Sequence, residues 1–573
     1  MLRLLPGCEY LGEEGWNLCR TYLDTIENQM AQILRRHSVF FWLHLYRRIG
    51  VGLSPEHGGK TDANTVGLVR QIVELAISKH GDKTRKDDLA PVSKVHFKDI
   101  LGGHCQRLWQ RWLGPVDALG KFRRLAATRQ WVITQFEIRD FIDAYLVEGY
   151  AYEYWRVTAL MRAVGKGSGF AENADDWPDT RESLSLSRLI ISYDQRIATR
   201  RPFSTALLGS WFHSSFEPRN RDEKMLVPFY NIEKRSLCNE LTTPNNEPFA
   251  SNFLVVPIDV RAFRNAHLFL EHAFKKTTGV SLDSYLMCLW ALANIALLPA
   301  RVLYTSRADN DDLLDQNGQL FMNFLNILQR AYTLFETDPG LVDEILFRAE
   351  AFSRHAFSCD REDVKSCVGQ LILREESRDQ IALWSGGRRF PLIPFGEVLI
   401  IDLEGIPSLL QTLFYRVQHQ QTIRGSVFEE TFRVALAAEG FVQPQTGEIV
   451  AASGEKREVD ATVRIGDDLF LFECRSIERP LDFELGRPRT LEARRGFLES
   501  KVRQVLSLRD FVISNPSGRN YDFRWAKTIS AFVVSPFVEW IWDRSDRLWH
   551  SNDIPRILQA DEAISYLHRR EGT

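Results

Sequence analysis

The stretch "REVDATVRIGDDLFLFECRS", residues 457–476, admits few folds. Apolar and polar residues alternate on both sides of Gly466-Asp467, the period of two that a half-buried strand requires. Gly466 in the first central position suits a two-residue type II′ hairpin turn. With Ile465 opposite Asp468, the pairs Val463–Phe470, Ala461–Phe472 and Val459–Cys474 all fall on one apolar face. The other face pairs Arg464 with Leu469, Thr462 with Leu471 and Asp460 with Glu473, and Arg475 falls opposite Glu458 beyond them. A slip of one residue would scramble the apolar face, so this register is the expected one.

That register makes Asp460 and Glu473 cross-strand neighbours, with Cβ atoms about 5 Å apart. At an effective dielectric of about 20, two full charges at that spacing repel by roughly 3 kcal/mol. A divalent cation, Mg²⁺ or Mn²⁺, would compensate, because it takes oxygen ligands from one or two carboxylates and leaves room for water and phosphate. Arg475, on the same face, would compensate without any metal. A third reading is an exposed Glu458–Arg475 salt bridge of little energetic weight.

The rest of the chain sets the context. A length of 573 residues exceeds one ordinary core, so two to four domains are expected. Apolar residues at 44% and charged residues at 26% fit a soluble globular protein. A net charge of −3 provides no global attraction for nucleic acid, so any such binding needs a local basic patch. Eight cysteines stand at 8, 19, 105, 238, 288, 359, 367 and 474 with no CxxC pair, a pattern that suits a reducing, cytoplasmic setting. The N-terminal apolar run is too short for a signal peptide. The apolar stretches 38–46 and 285–300 fall short of a membrane span and read as buried core helices, so no membrane partner is expected.

The periodicities divide the chain into a helical N-terminal region (1–215), a second mostly helical region (216–395), a connector (396–420) and a C-terminal unit (421–573). Loops are expected over 165–180 and 239–252, a strand over 253–260, and helices over 281–298 and roughly 320–355. Gly and Pro punctuate 386–407 around the strand "EVLIIDL". After 421 the order is a helix over 426–439, strand candidates near 441–451, the hairpin, and a basic helix over about 490–510. Strands at 529–537 and 554–558 and a last helix follow. The fold class is therefore α+β and multidomain, a large helical part followed by a mixed sheet with helices on its faces.

The C-terminal unit resembles the PD-(D/E)XK, or restriction-endonuclease-like, phosphodiesterase superfamily, whose core runs αβββαβ. Asp460 matches the motif Asp, and Glu473-Cys474-Arg475 matches (D/E)-x-K with arginine in the last place. Glu429 in "RGSVFEETF" matches the first-helix Glu, and Gln504 in "ESKVRQVLSL" the second-helix polar position. The resemblance covers about 150 residues and implies a Mg²⁺- or Mn²⁺-dependent nuclease. Asp460 and Glu473 would be the ligands, with the Cys474 carbonyl as a third. Arginine keeps the charge of the motif lysine but cannot act as a general base near neutral pH. Lys501, three residues before Gln504 on one helical face, is the alternative source of that function. Ser426-x-x-Glu429 is also a capping box, which would explain Glu429 without catalysis.

Between 487 and 509, Arg487, Arg489, Arg494, Arg495, Lys501, Arg503 and Arg509 face only Glu492 and Glu499. Such a stripe would hold phosphates, or would simply be a solvated helix face. Nothing in it reads a base sequence; DNA is preferred over RNA by analogy alone. Two other patterns are weaker. Arg261 and His267 have the R-x₅-H spacing of HEPN-type ribonucleases, and His355, Cys359 and Cys367 lack a fourth zinc ligand. The expected function is a metal-dependent endonuclease, in a setting that resembles bacterial defence or mobile elements, with a partner subunit or second copy as possible company. The alternative is a degenerate nuclease-like protein that grips nucleic acid or assembles with a partner without cutting.

Overall fold

A helix apolar on every side belongs inside a protein, and two such segments organise the first part of this chain. The computed structural model describes residues 8–47, 52, 61–82, 89–91, 131–133, 137–172, 178–199, 225–230, 253–258, 260–297, 331–336, 340–353, 358–385, 389–395, 398–413, 421–476 and 481–572. Helices α1 (Gly12–Leu34), α2 (Val39–Tyr46), α3 (Ala63–His80) and α4 (Ile138–Gly165) share one core containing Leu23, Met30, Trp42, Val73, Val147 and Met161. Every residue of α2 is buried, and Ser38 caps it by accepting from the Phe41 amide at 3.0 Å. Further along, α5 spans Leu184–Thr199 and α6 spans Leu282–Leu297. The apolar α6 carries one amide side chain, Asn294. It accepts at 2.9 Å from Arg348 of α7 (Gly340–Ser353), which is how an amide is tolerated there. Among the described residues, no helix is long and apolar enough to cross a membrane.

The helix expected over roughly 320–355 is not continuous. Strand β1 (Tyr332–Glu336) precedes α7, and residues 320–330 lie outside the described residues. Long-range pairing overrides the local helical pattern here. With β2 (Leu392–Phe395) and β3 (Val398–Asp402), β1 forms an antiparallel sheet in the order β1-β3-β2. The loop expected over 165–180 holds two short paired strands, Gly169–Ala171 and Asp179–Arg181. The loop expected over 239–252 lies outside the described residues, and the strand after it spans Phe253–Ile258.

A buried ionic cluster ties this sheet to the helices. Arg47 donates to Glu74 at 3.0 and 2.9 Å and to Asp402 at 2.9 Å. Arg389 reaches Glu74 at 3.2 Å, and Arg70 bridges Glu74 and Glu404. The arginines hold the Glu74 carboxyl far below the usual carboxylate range, overcoming its desolvation.

The C-terminal unit begins with α8 (Gln421–Ala438), followed by β4 (Gly447–Val450), β5 (Lys456–Val459), β6 (Ala461–Ile465) and β7 (Asp468–Cys474). Helix α9 (Pro488–Ser514), strands β8 (Thr528–Ser535) and β9 (Ile557–Gln559), and helix α10 (Ala560–Glu571) complete it. The sheet order is β6-β7-β8-β9, antiparallel at the hairpin and parallel across the rest. The hairpin has the expected register from Ile465–Asp468 to Ala461–Phe472. Gly466 has φ +58°, the left-handed first position that a type II′ turn needs. Ala461, Val463, Phe470 and Phe472 pack against Phe428, Phe432 and Leu567 of α8 and α10. On the opposite face, Leu469, Leu471 and Val533 pack against Leu498, Val502 and Val505 of α9. Helix α5 joins this second core through Leu189 and Tyr193, and Arg196 locks it there with bonds of 2.7 and 2.9 Å to Glu562.

Beyond Ala461 the expected pairing stops. Val459 pairs with Gly447 and Glu458 with Glu448, so the Val459–Cys474 and Glu458–Arg475 pairs do not form, and the ladder ends before the expected Asp460–Glu473 pair. The chain bends at Asp460, and Val459 enters the α9 core instead of the α8 core.

Removing one member of a buried charged cluster leaves its partners uncompensated, at a cost of roughly 3–5 kcal/mol. Glu74→Ala should lower the stability of the helical region by that amount, read from urea unfolding. A loss below 1 kcal/mol, roughly the scale of an exposed pair, would show that the cluster does not hold the helices to the sheet.

Candidate functional site

The bend that ends one strand pair and starts the next sets up the site. Asp460 sits in it, between β5 and β6, 6% exposed. Its Oδ2 accepts a hydrogen bond from the Cys474 amide at 2.7 Å, so a carboxylate takes the place of a ladder carbonyl. Glu473, 2% exposed on β7, pairs with Arg475, whose own backbone amide donates to Val534 O at 2.8 Å. From α8, Glu429 pairs with Arg433, one turn further on, and Arg433 also donates to the Asp460 carbonyl at 3.3 Å. From α9, Lys501 donates to Gln504 Oε1 at 2.9 Å.

These groups share one electrostatic field. Burial, reinforced by the Asp460 charge, pushes the Glu473 carboxyl up to about 7. Burial also raises Asp460, against the pull of the Cys474 amide and Arg475. Glu429 is raised by burial and by Asp460. Lys501 is lowered by desolvation and by Arg475, against the attraction of Glu473 and Asp460. Burial and the three neighbouring carboxylates keep the Cys474 thiol protonated. Perturbed acids and a perturbed lysine in one place are what a reactive site needs, and ion-pair networks produce them too.

The carboxylates suit a hard divalent cation in donor type: two oxygen donors, one in the bend before β6 and one on β7, both with raised proton affinity, which a cation would relieve. A carboxylate accepts along about four lone-pair directions, so one bond from an amide or guanidinium does not saturate it. Among the described residues, no group of three or more His, Cys, Asp or Glu side chains is arranged to hold a metal. A third protein ligand would have to be a backbone oxygen, such as that of Cys474.

The remaining candidates fall out unevenly. The capping reading of Glu429 fails, because α8 starts at Gln421 and Ser426 lies inside the helix. Arg433 escaped the sequence reading; its signal is the i+4 spacing from Glu429 on a helix. Gln504 reaches the site only through Lys501. The basic stripe is divided. Arg494 is buried and bidentate on Glu539 at 2.5 and 2.6 Å, so it is a core ion pair, not a phosphate contact. Arg487 pairs with Asp482 at 2.9 Å, Arg495 with Glu499 at 3.3 Å and Arg509 with Asp510 at 2.9 Å, while Arg503 is exposed. The Arg489 amide, not its guanidinium, is engaged, by Glu13 at 3.0 Å. Elsewhere, His267 is buried with Nδ1 on the Phe263 carbonyl at 2.7 Å, and burial lowers it to about 4, so it packs as a neutral core residue. His355 lies outside the described residues; Cys367 is buried on a helix and Cys359 is a free thiol just before it.

The chain matches no protein-family model, no curated protein and no solved structure.

Because the Glu473 carboxyl lies near 7 in the fold against an ordinary 4.5, the protein favours its protonated form. The associated stability is complete below about pH 4.5 and is lost as pH rises through about 7. With metal chelated, wild type should lose up to about 3 kcal/mol between pH 4.5 and 8 that Glu473→Gln does not lose. Urea unfolding of both proteins across that window checks this. Parallel pH profiles would show that Glu473 is not the perturbed group.

Proposed function

We propose that this protein is a metal-dependent phosphodiesterase acting on nucleic acid, DNA before RNA, with a restriction-endonuclease-like C-terminal unit. The observation that carries the reading is the burial of Asp460 and Glu473 beside each other, with Arg475 and Lys501 in the same field. Two buried carboxylates with raised proton affinity are costly as pure structure and useful as cation ligands. Helices pack on both faces of the β6-β7-β8-β9 sheet, as in an αβββαβ core, although four strands of the unit precede α9 and the first two, β4 and β5, pair as a separate sheet.

Asp460 and Glu473 would hold Mg²⁺ or Mn²⁺, with the Cys474 carbonyl as a third donor. When bound, the cation supplies the charge that offsets both carboxylates and polarises an attacking water. Lys501 is the group suited to the motif lysine's task, since burial and Arg475 ease its deprotonation. The Arg475 guanidinium is suited to a two-point grip on a phosphate. Glu429 and Arg433 hold the Asp460 backbone in place from α8.

The Arg475–Glu473 ion pair favours a second reading, in which arginine neutralises the site and the domain binds nucleic acid or a partner without cutting.

Cleavage of plasmid DNA and of RNA with Mg²⁺ or Mn²⁺ separates the two. Wild type should cut, and Asp460→Ala should be slower by at least about 100-fold, or roughly 2.7 kcal/mol in the barrier. Lys501→Ala should lose more activity than Arg475→Ala. Salt-sensitive binding by wild type with no cutting of either substrate would instead establish the second reading.

A further inference from the structure

A cleft of about 660 Å³ opens where the start of α1, the end of α4 and the first turns of α9 meet Trp540 and Trp542. Its floor is a tight junction. A Cβ added at Gly165, the last residue of α4, would fall 1.6 Å from the Gly486 carbonyl, so the α4 backbone lies directly against the lead-in to α9. The lining is rich in cations: Lys166, Arg487, Arg489 and Arg495 against Glu13 and Glu492. Aromatic rings accompany them. Lys166 Nζ lies 4.4 Å from the Tyr193 ring centre and 5.5 Å from that of Trp540, and the Arg495 guanidinium lies 5.4 Å from that of Trp542.

Three features point to a ligand. Lys166 is mostly buried, and desolvation lowers its proton affinity against the attraction of Asp194, at 3.4 Å, and of Glu182. The Trp542 indole N–H and Arg487 Nε, both on residues lining the cleft, are buried with no hydrogen-bond acceptor among the described residues, a cost that a bound acceptor would remove. The first-turn amide of Arg489 already holds an anionic oxygen, the Glu13 carboxylate at 3.0 Å.

We propose that this cleft binds a nucleotide, its phosphate against Lys166, Arg489 and Arg495 and its flat base against the indole of Trp542. A phosphate alone would not use the indoles, and an apolar ligand would not use four cations. The volume lies within the range of small-ligand sites and is too small for a folded partner. The cleft is separate from the carboxylate site. On α9 the cleft extends as far as Arg495, six residues and about 9 Å along the axis before Lys501 at 1.5 Å per residue, and none of its lining residues belongs to the carboxylate site.

The test is calorimetric titration of the full-length protein in EDTA with AMP, ATP, adenosine, inorganic pyrophosphate and a 5′-phosphorylated tetradeoxynucleotide. AMP or ATP should bind, and adenosine should bind at least about tenfold more weakly, or 1.4 kcal/mol. Arg495→Ala and Trp542→Ala should each weaken binding about tenfold, while Glu13→Gln, which removes a competing charge, should tighten it. Should Trp542→Ala fail to fold, Arg489→Ala serves in its place. The titration is made in EDTA and reads binding, whereas the nuclease reading is tested by metal-dependent cutting, so failure of one and failure of the other are distinguishable. Binding of the tetranucleotide alone, lost in the same variants, would support the proposal with a strand end as the source. Absence of binding by every nucleotide probe, pyrophosphate binding as tightly as ATP, or variants indistinguishable from wild type would overturn it.

Discussion

The hydrogen bond from the Cys474 amide to the Asp460 carboxylate is the hinge of the C-terminal unit. At residue 460 the chain leaves its pairing with β4 and takes up its pairing with β7. A strand that changes partners breaks its ladder, and a buried amide left there without an acceptor costs about 1–3 kcal/mol. Asp460 closes that gap with its side chain. The same bond fixes where the carboxylate stands relative to Glu473, so the local structural need and the site's geometry are met by one residue. Loss of Asp460 therefore acts on folding whatever its part in chemistry, and a stability measurement belongs beside any activity measurement on that variant.

The electrostatics around the hinge are only partly balanced. Arg475 meets Glu473, Arg433 meets Glu429, and Lys501 feels both strand carboxylates from α9. Even so, Glu473 is left near 7, with desolvation as the larger cause and Asp460 as the second. The three cations present do not complete the compensation of the buried acids. The protein makes up the difference with a proton at low pH, and the phosphodiesterase reading makes it up with a divalent cation near neutrality. The arginine in the motif's last place narrows the chemistry without removing the imbalance.

The hairpin was legible because its period is two and its turn is pinned by Gly466, so a single register satisfies the apolar face. The switch at Asp460 was not legible. Val459 is apolar and buried, as the continued alternation suggests, but it is buried in the other core. Residues 457–459 look the same whether they extend the hairpin or pair with β4. Glu429 misled for a similar reason: Ser426-x-x-Glu429 has capping spacing, but nothing local in the sequence says that the helix has already begun at Gln421. Arg494 read as one of a basic stripe because its partner Glu539 stands 45 residues away. The strand at Tyr332–Glu336 owes its form to β3, more than sixty residues later. Period-based reading recovers what neighbours decide and misses what distant partners decide.

Two buried charge clusters in this chain answer the question of structure against chemistry in opposite ways. In the helical region, Glu74 is contacted by Arg47, Arg70 and Arg389, and both of its oxygens are engaged. Its carboxyl is held firmly ionised, and Glu404, at the edge of that cluster, takes up the raised proton affinity that burial imposes. Three arginines face three carboxylates there, and the cluster joins α2 and α3 to the sheet. At the strand switch, Glu473 meets a single guanidinium among the described residues and shares its burial with a second acid, so it resists ionisation. A cluster built only to hold elements together gains from completing its ion pairs, since an incomplete one is destabilising. A cluster that must exchange its counter-charge during a reaction has to be left incomplete. The Asp460–Glu473 pair is incomplete in the way the phosphodiesterase reading requires, and on that reading Lys501, eased toward the neutral form on α9, would take part in the exchange.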